Sequence, residues 1–132
     1  MFLFFSHKLT SLQIEDAKKN LGVDEFIYLN DELQELFSNI PPKEVDLGEY
    51  LKPLFKFLID NCKSGDYVLI QGEFGVVYRL VELSKILDLV PLYSTTKRES
   101  IEEIFDGKVI KKSVFSHIEF RKYEKDSLWL NI

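Results

Sequence analysis

Several things are scarce in this chain, and each scarcity closes off a class of function. It has one cysteine, Cys62, which rules out an internal disulfide and a cysteine metal site. Its spacing from Leu58 and Ile59 is that of a helical core, and a lone thiol fits a reducing, cytoplasmic compartment. The only histidines, His7 and His117, are far apart in sequence, so no zinc ligand set is expected. Long apolar runs are missing too. The opening Phe2–Phe5 stretch is shorter than a secretory leader and lacks a basic start, and no window approaches a membrane span. Seventeen basic residues against 22 acidic ones leave a net charge of −5. That is the wrong sign for a protein that follows an extended DNA or RNA duplex. There is no GxSxG elbow, no Walker motif and no GxGxxG fingerprint, and no serine or cysteine triad is legible, which sets covalent hydrolase chemistry aside.

What is present reads as one α/β domain over residues 1–132. Met1–Ser6 is an apolar run of strand length, suited to a central parallel strand. Thr10 and Gln13 have the capping-box form; Ile14, Ala17 and Leu21 share a helical face, and Gly22 closes the helix. Phe26–Leu29 makes a second strand. Asn30 or Asp31 caps a helix through Leu33, Leu36 and Phe37, which ends at Pro41-Pro42. Apolar positions from Leu47 to Cys62 continue at helical spacing, with a start or kink near Tyr50 imposed by Pro53. Tyr67–Ile70 is a third strand, followed by a helix from near Gly75 that buries Val77, Leu80, Val81, Ser84 and Leu87. Pro91–Ser94 is the fourth strand, Glu99–Asp106 a polar segment with room for one helical turn. Lys108–Tyr123 alternates as strands do, with Val114, Ser116, Ile118 and Phe120 on one face and Phe115, His117, Glu119 and Arg121 on the other.

This order predicts a Rossmann-like or flavodoxin-like three-layer sandwich whose sheet is mostly parallel, with a β-rich, partly antiparallel C-terminal edge. If the first and third strands are neighbours, as in the order 2-1-3-4, Ser6-His7 and Gln71–Gly75 flank the topological switch point where such folds bind ligands. Ser94–Arg98 would be the next loop along that edge.

The candidate ligand groups follow from this placement. Gln71, Gly72, Glu73, Phe74, Gly75 and Val76 form a strand-to-helix turn whose backbone N–H groups suit an anion. Phe74 is a loop aromatic able to stack on a base, and Glu73 either accepts from a nucleoside or rests at the helix dipole. Ser94, Thr95, Thr96, Lys97 and Arg98 set three hydroxyls beside two cations, the most phosphate-like stretch of the chain; the plain alternative is a solvated loop. His7 follows a central strand and is either a proton donor or acceptor or a histidine bonded within a turn. His117, mid-strand, reads as structural.

Four stretches, FFSHKLT, YVLIQGEFG, LYSTTKR and VFSHIEFRKY, taken in this order over residues 2–123, resemble a family of small accessory proteins of type III CRISPR systems, related to CRISPR-associated Rossmann-fold sensors and ring nucleases. The resemblance implies a homodimer that binds cyclic tetra-adenylate and needs no metal or cofactor. A ribose 2′-hydroxyl attacks its adjacent phosphate and leaves linear di-adenylate with a cyclic phosphate end. On position and chemistry, Lys97 and Arg98 would offset the developing charge with the N–H groups of Gly75 and Val76, and His7 would protonate the leaving oxygen. A sensor or sponge that binds without cutting uses the same cations, and a plain interaction subunit would have no nucleotide affinity.

Overall fold

The computed structural model describes residues 1–43 and 45–124, so the expectation of one domain over 1–132 extends past it at the C-terminal end. The chain opens with β1 (Phe2–Phe4), α1 (Ser11–Leu21) and β2 (Ile27–Tyr28). Three helices follow: α2 (Asp31–Ser38), α3 (Leu47–Tyr50) and α4 (Lys52–Asn61). Then come β3 (Tyr67–Ile70), α5 (Phe74–Ile86), β4 (Val90–Phe105) and β5 (Lys108–Lys122). The strands form a single sheet in the order β2-β1-β3-β4-β5, parallel from β2 to β4, with β5 antiparallel at the edge. This α/β arrangement is compatible with a Rossmann-like fold.

Local chemistry sets the helix ends. Thr10 and Gln13 form a complete capping box at α1, and Gly22 ends the helix at φ 68°, a conformation that favours glycine. Asn30 caps α2 through the Leu33 N–H at 2.9 Å. Pro53 falls in the first turn of α4, where its missing N–H costs nothing, so the apolar run beginning at Leu47 breaks at Leu51 into two helices.

Right-handed crossovers that run one way from β1 to β2 and the other way from β3 to β4 must put their helices on opposite faces. Alternate strand residues accordingly feed two cores. Phe2, Phe4, Val68 and Ile70 pack with α2, α4 and α5; Leu3, Leu69 and Leu92 pack under α1. Gly72 lies at the close approach of the first core: a Cβ there would come within 2.9 Å of the Phe37 ring. The expected ligand-facing turn therefore owes its glycine to packing.

The largest departure from expectation is β4. Ser94–Arg98 is no loop and Glu99–Asp106 holds no helical turn; the strand runs unbroken for 16 residues. It pairs with β5 out to Phe105 and Lys108, through a two-residue turn in which Asp106 and Gly107 both have positive φ (50° and 74°), the hallmark of a tight hairpin. Between the pairs Ser94↔Phe120 and Thr96↔His117, Thr95 alone faces Ile118 and Glu119. This bulge on β5 is held by the Thr95 hydroxyl, which donates to the Glu119 carbonyl at 3.0 Å and accepts from its N–H at 3.2 Å. It also corrects the expected alternation, because Phe120 lands on the same face as His117 and Arg121 moves to the other.

Because the Phe37 ring is itself held in the core, Gly72→Ala should destabilise the fold by about 1–3 kcal/mol, read as a lowered denaturant midpoint with an unchanged slope.

Candidate functional site

The residues proposed from the sequence separate into three places. At the switch point, α2 closes the crevice. Gln34 Nε2 donates to the Phe5 carbonyl at 3.0 Å and to Ser38 Oγ at 2.9 Å, while Ser38 Oγ and Ser6 Oγ share a hydrogen bond of 3.0 Å. His7 is exposed, its ring edge-on to Phe5 at 5.4 Å.

The N-terminus of α5 is already occupied. Glu73 is its N-cap, and its own carboxylate accepts the Gly75 N–H at 2.6 Å. A negative charge in that place satisfies both the free donor and the helix dipole. A phosphate would have to displace it against like-charge repulsion, so Gly75 does not form the expected anion cradle. Val76 turns its side chain fully into the core.

Lys97 and Arg98 sit out on the β4–β5 hairpin. Lys97 lies 3.9 Å from Glu99; Arg98 donates to Ser113 Oγ through Nε (3.2 Å) and a terminal nitrogen (2.9 Å) and covers the Phe115 ring. Neither meets His7 or the glycine turn, and the three groups assigned to catalysis do not converge. Thr96 is exposed on the same hairpin.

A cavity of about 840 Å³ opens instead one step along the sheet edge, between α5 and the β4–β5 pair on the face away from α1. Gln71, Gly72 and Phe74, from the strand-to-helix turn, form its rim; Tyr78, Tyr93, Arg121 and Tyr123 extend it. Phe74 is 93% exposed and Tyr78 68%, an unusual concentration of solvent-facing rings. Tyr123 lies on the inner wall, its hydroxyl donating to the Ile70 carbonyl at 2.7 Å and its ring 4.9 Å from that of Tyr93. Burial, and then the neighbouring Tyr93, hold the Tyr123 phenol above its ordinary pKa. Arg121 lies over Tyr93 at 5.8 Å and donates to its hydroxyl at 3.2 Å. Val77 and Val81 with Lys85, Lys122, Glu82 and Glu124 complete the lining. Gln71 Oε1 accepts the Ser94 N–H at 2.8 Å, which leaves its amide NH₂ to offer a ligand. Arg121 and the tyrosines were missed because they come from the tail of β5 and the exposed flank of α5; a 121–123 run ending a strand beside an aromatic 93 was the available signal.

On the opposite face lies a polar cluster that the sequence did not reveal. Ser94 Oγ is 2.5 Å from His117 Nδ1, and His117 Nε2 is 2.7 Å from Asp16 Oδ2. Gln13 Nε2 donates to Ser94 Oγ at 3.4 Å, and Asn20 Nδ2 to Asp16 Oδ1 at 2.6 Å. His117 Nε2 thus faces the Asp16 carboxylate, while Nδ1 and the Ser94 hydroxyl share the other hydrogen bond, the direction of which follows the state of the ring. The connectivity is that of a serine–histidine–carboxylate triad with the ring turned the other way. Ser94 is only 8% exposed and does not line the cavity, and the cluster acts as a latch between α1 and the root of the hairpin. Burial opposes ionisation of Asp16, but the hydrogen bonds from Asn20 and His117 and the attraction to His117 together hold its carboxyl below the ordinary range. Burial, then the Asp66 carboxylate, pushes the Cys62 thiol up to about 12, so it is protonated at neutral pH and no nucleophile.

Among the described residues, no group of three or more histidine, cysteine or acidic side chains is placed to hold a metal ion, and no helix is long and apolar enough to cross a membrane. A family described as "Uncharacterized protein MJ1673 family" matches residues 1–121. The chain is 57% identical over 123 residues to "Uncharacterized protein MJ1673" of Methanocaldococcus jannaschii, covering 93% of this chain and 95% of that one. No solved structure matches. The chain belongs to the MJ1673 family.

A depressed Asp16 carboxyl contributes stability above the ordinary aspartate pKa of about 3.9 and loses it as pH falls through the folded value. Asp16→Asn should therefore be less stable than wild type at pH 6, by on the order of 1–3 kcal/mol for a hydrogen bond to a charged group. That gap should narrow below about pH 4; denaturant midpoints at the two pH values measure it.

Proposed function

We propose that this chain is a flavodoxin-like ring nuclease, acting in the cytoplasm, that binds cyclic tetra-adenylate in the cavity beside β3 and opens it, switching off type III CRISPR signalling. The observation that carries the reading is the cavity's pairing of solvent-facing rings, Phe74 and Tyr78, with the Arg121 guanidinium. Adenine has a π-face for the rings, and the adjacent phosphate takes the planar, bidentate fork of Arg121. Lys122 adds a point charge, and the Gln71 amide suits an adenine ring nitrogen. The resemblance of the four stretches supplies the choice of cyclic tetra-adenylate over other adenine nucleotides.

The chemistry asks little beyond position. As the 2′-oxygen bonds to phosphorus, the bond from phosphorus to the 5′-oxygen breaks. The 2′-hydroxyl loses its proton, the 5′-oxygen gains one, and a 2′,3′-cyclic phosphate remains. Holding nucleophile, phosphorus and leaving oxygen in line supplies several kcal/mol of the barrier, and Arg121 and Lys122 offset charge on the phosphorane. This moves the electrostatic role from Lys97 and Arg98 to the cations of the cavity. A second reading, a sensor or sponge that keeps the ring intact, is favoured by one observation: neither histidine lines the cavity.

Incubation with cyclic tetra-adenylate in excess chelator, followed by chromatography, separates the two. Linear di-adenylate establishes the nuclease; intact ring with tight binding establishes the sensor; intact ring with no change in melting temperature refutes both, since ligand at 100 times its Kd adds about 2.7 kcal/mol. Phe74→Ala should weaken binding by about 1–3 kcal/mol, the usual worth of stacking a base on an aromatic ring. Arg121→Ala should cost about 1.5–3 kcal/mol, and isothermal titration reads both.

A further inference from the structure

Beyond the bulge, the β4–β5 hairpin leaves the sheet as a two-stranded ribbon on which every residue from Thr96 to Phe115 is exposed. Ile104, Phe105, Val109 and Phe115 are 62–82% exposed. A ribbon with open faces and edges is marginal in water and a ready template for another strand. Which strand it templates can be read from its backbone and its charges.

Ser94 turns its N–H away from β5, toward Gln71. Strand alternation turns the N–H and C=O groups of Thr96, Arg98, Ser100, Glu102 and Ile104 the same way. Among the described residues no strand borders β4 on that side past Leu92. We infer that a second copy of this chain pairs there, β4 against β4, antiparallel about a two-fold axis at Ser100. In this register Lys97 meets the partner's Glu103 and Arg98 meets the partner's Glu102, each twice by symmetry. Ser100 exchanges both backbone hydrogen bonds with the partner's Ser100. The neighbouring axes fail on charge: a two-fold at Glu99 opposes two glutamates, and one at Ile101 sets Glu99 against the partner's Glu103. The outer edge of β5 carries Lys108, Lys111 and Lys112 with no carboxylate between them. Lys111 and Lys112 already lie 4.0 Å and 3.0 Å from Glu102 and Glu103 of their own chain, so this edge offers a second copy no comparable set of opposite-charge pairs. Pairing β4 on a partner's β5 would be head-to-tail and would not close at two.

The register has a consequence for the cavity. Thr96 lies opposite the partner's Ile104, so the partner's hairpin turn, with the partner's Asp106, arrives beside Gln71 at the cavity rim. The pairing stands on the ribbon alone and holds whatever the cavity binds.

Light scattering on the eluting peak should give twice the 15.5 kDa chain mass. Ser100→Pro removes an N–H that faces away from β5, so the monomer keeps its own ladder; the mass should fall by half with an unchanged far-ultraviolet spectrum. Ser100→Cys should close a disulfide across the axis under mild oxidant, the facing Cα atoms lying about 5.5 Å apart, whereas Lys97→Cys and wild type should not. Arg98→Glu and Glu102→Arg should each halve the mass, and the double variant should restore it. A wild-type chain of 15.5 kDa at its highest concentration, a larger polymer, or a dimer that survives Ser100→Pro with no crosslink at position 100 would overturn the proposal.

Discussion

At Ser94 the third and fourth strands part, and one hydrogen bond takes over from the sheet. β3 ends at Ile70, whose carbonyl accepts the Tyr123 hydroxyl. The Gln71 side chain reaches sideways to accept the Ser94 N–H that continuation of the ladder would have sent to Ile70. The serine hydroxyl beneath is buried against His117, Gln13 and, through the imidazole, Asp16. A strand that left the sheet without these partners would bury unpaired polar groups, each worth about 1–3 kcal/mol. Everything beyond depends on that departure. The hairpin projects from it, the bulge that reverses the faces of β5 sits across from it, and the cavity opens on its far side, walled by Tyr93, the residue just before.

The interior of the fold was legible because its signals are local and redundant. Thr10 with Gln13 writes a helix start, Gly22 a helix stop, and short apolar runs at Phe2 and Tyr67 write strands covered on both faces. The strand order is the common 2-1-3-4 arrangement against which the sequence was read, with β5 added at the edge. The hairpin was not legible as a strand because a ribbon wet on both faces carries no apolar alternation: Thr96-Lys97-Arg98-Glu99-Ser100 reads as a solvated loop by composition. One signal was there, the Asp106-Gly107 dipeptide, which places two residues at positive φ.

The site divided in the same way. Of the residues lining the cavity, Gln71, Gly72 and Phe74 were candidates from the strand-to-helix turn, and Arg121 and Tyr123 were not, since only the bulge aims Arg121 at the cavity. The glycine turn was also misread in its purpose. A glutamate at the N-cap of a helix is a ligand already supplied, and the sequence Gly-Glu-Phe-Gly could have been read that way: its anion is internal.

Charge placement ties the two ends of the molecule together. Lys97 and Arg98 looked like a phosphate clamp because cations were sought near a sheet edge, yet they lie on a ribbon that also carries Glu99, Glu102 and Glu103, with Lys112 at 3.0 Å from Glu103. Alternating signs on an exposed ribbon bring little stability to the monomer, since each exposed pair is worth about 0–1 kcal/mol. They do fix a register, because a strand shifted by one step opposes like charges. Arg121, by contrast, stands against an aromatic ring without a carboxylate on its guanidinium among the described contacts, so its charge is available to an anion. A net-negative protein can hold an anionic ligand where local cations outweigh the overall field. At the cavity Lys85 is paired with Glu82 at 3.5 Å and Arg121 feels Glu119 and Glu124, but the Arg121 guanidinium itself rests on the Tyr93 ring and hydroxyl.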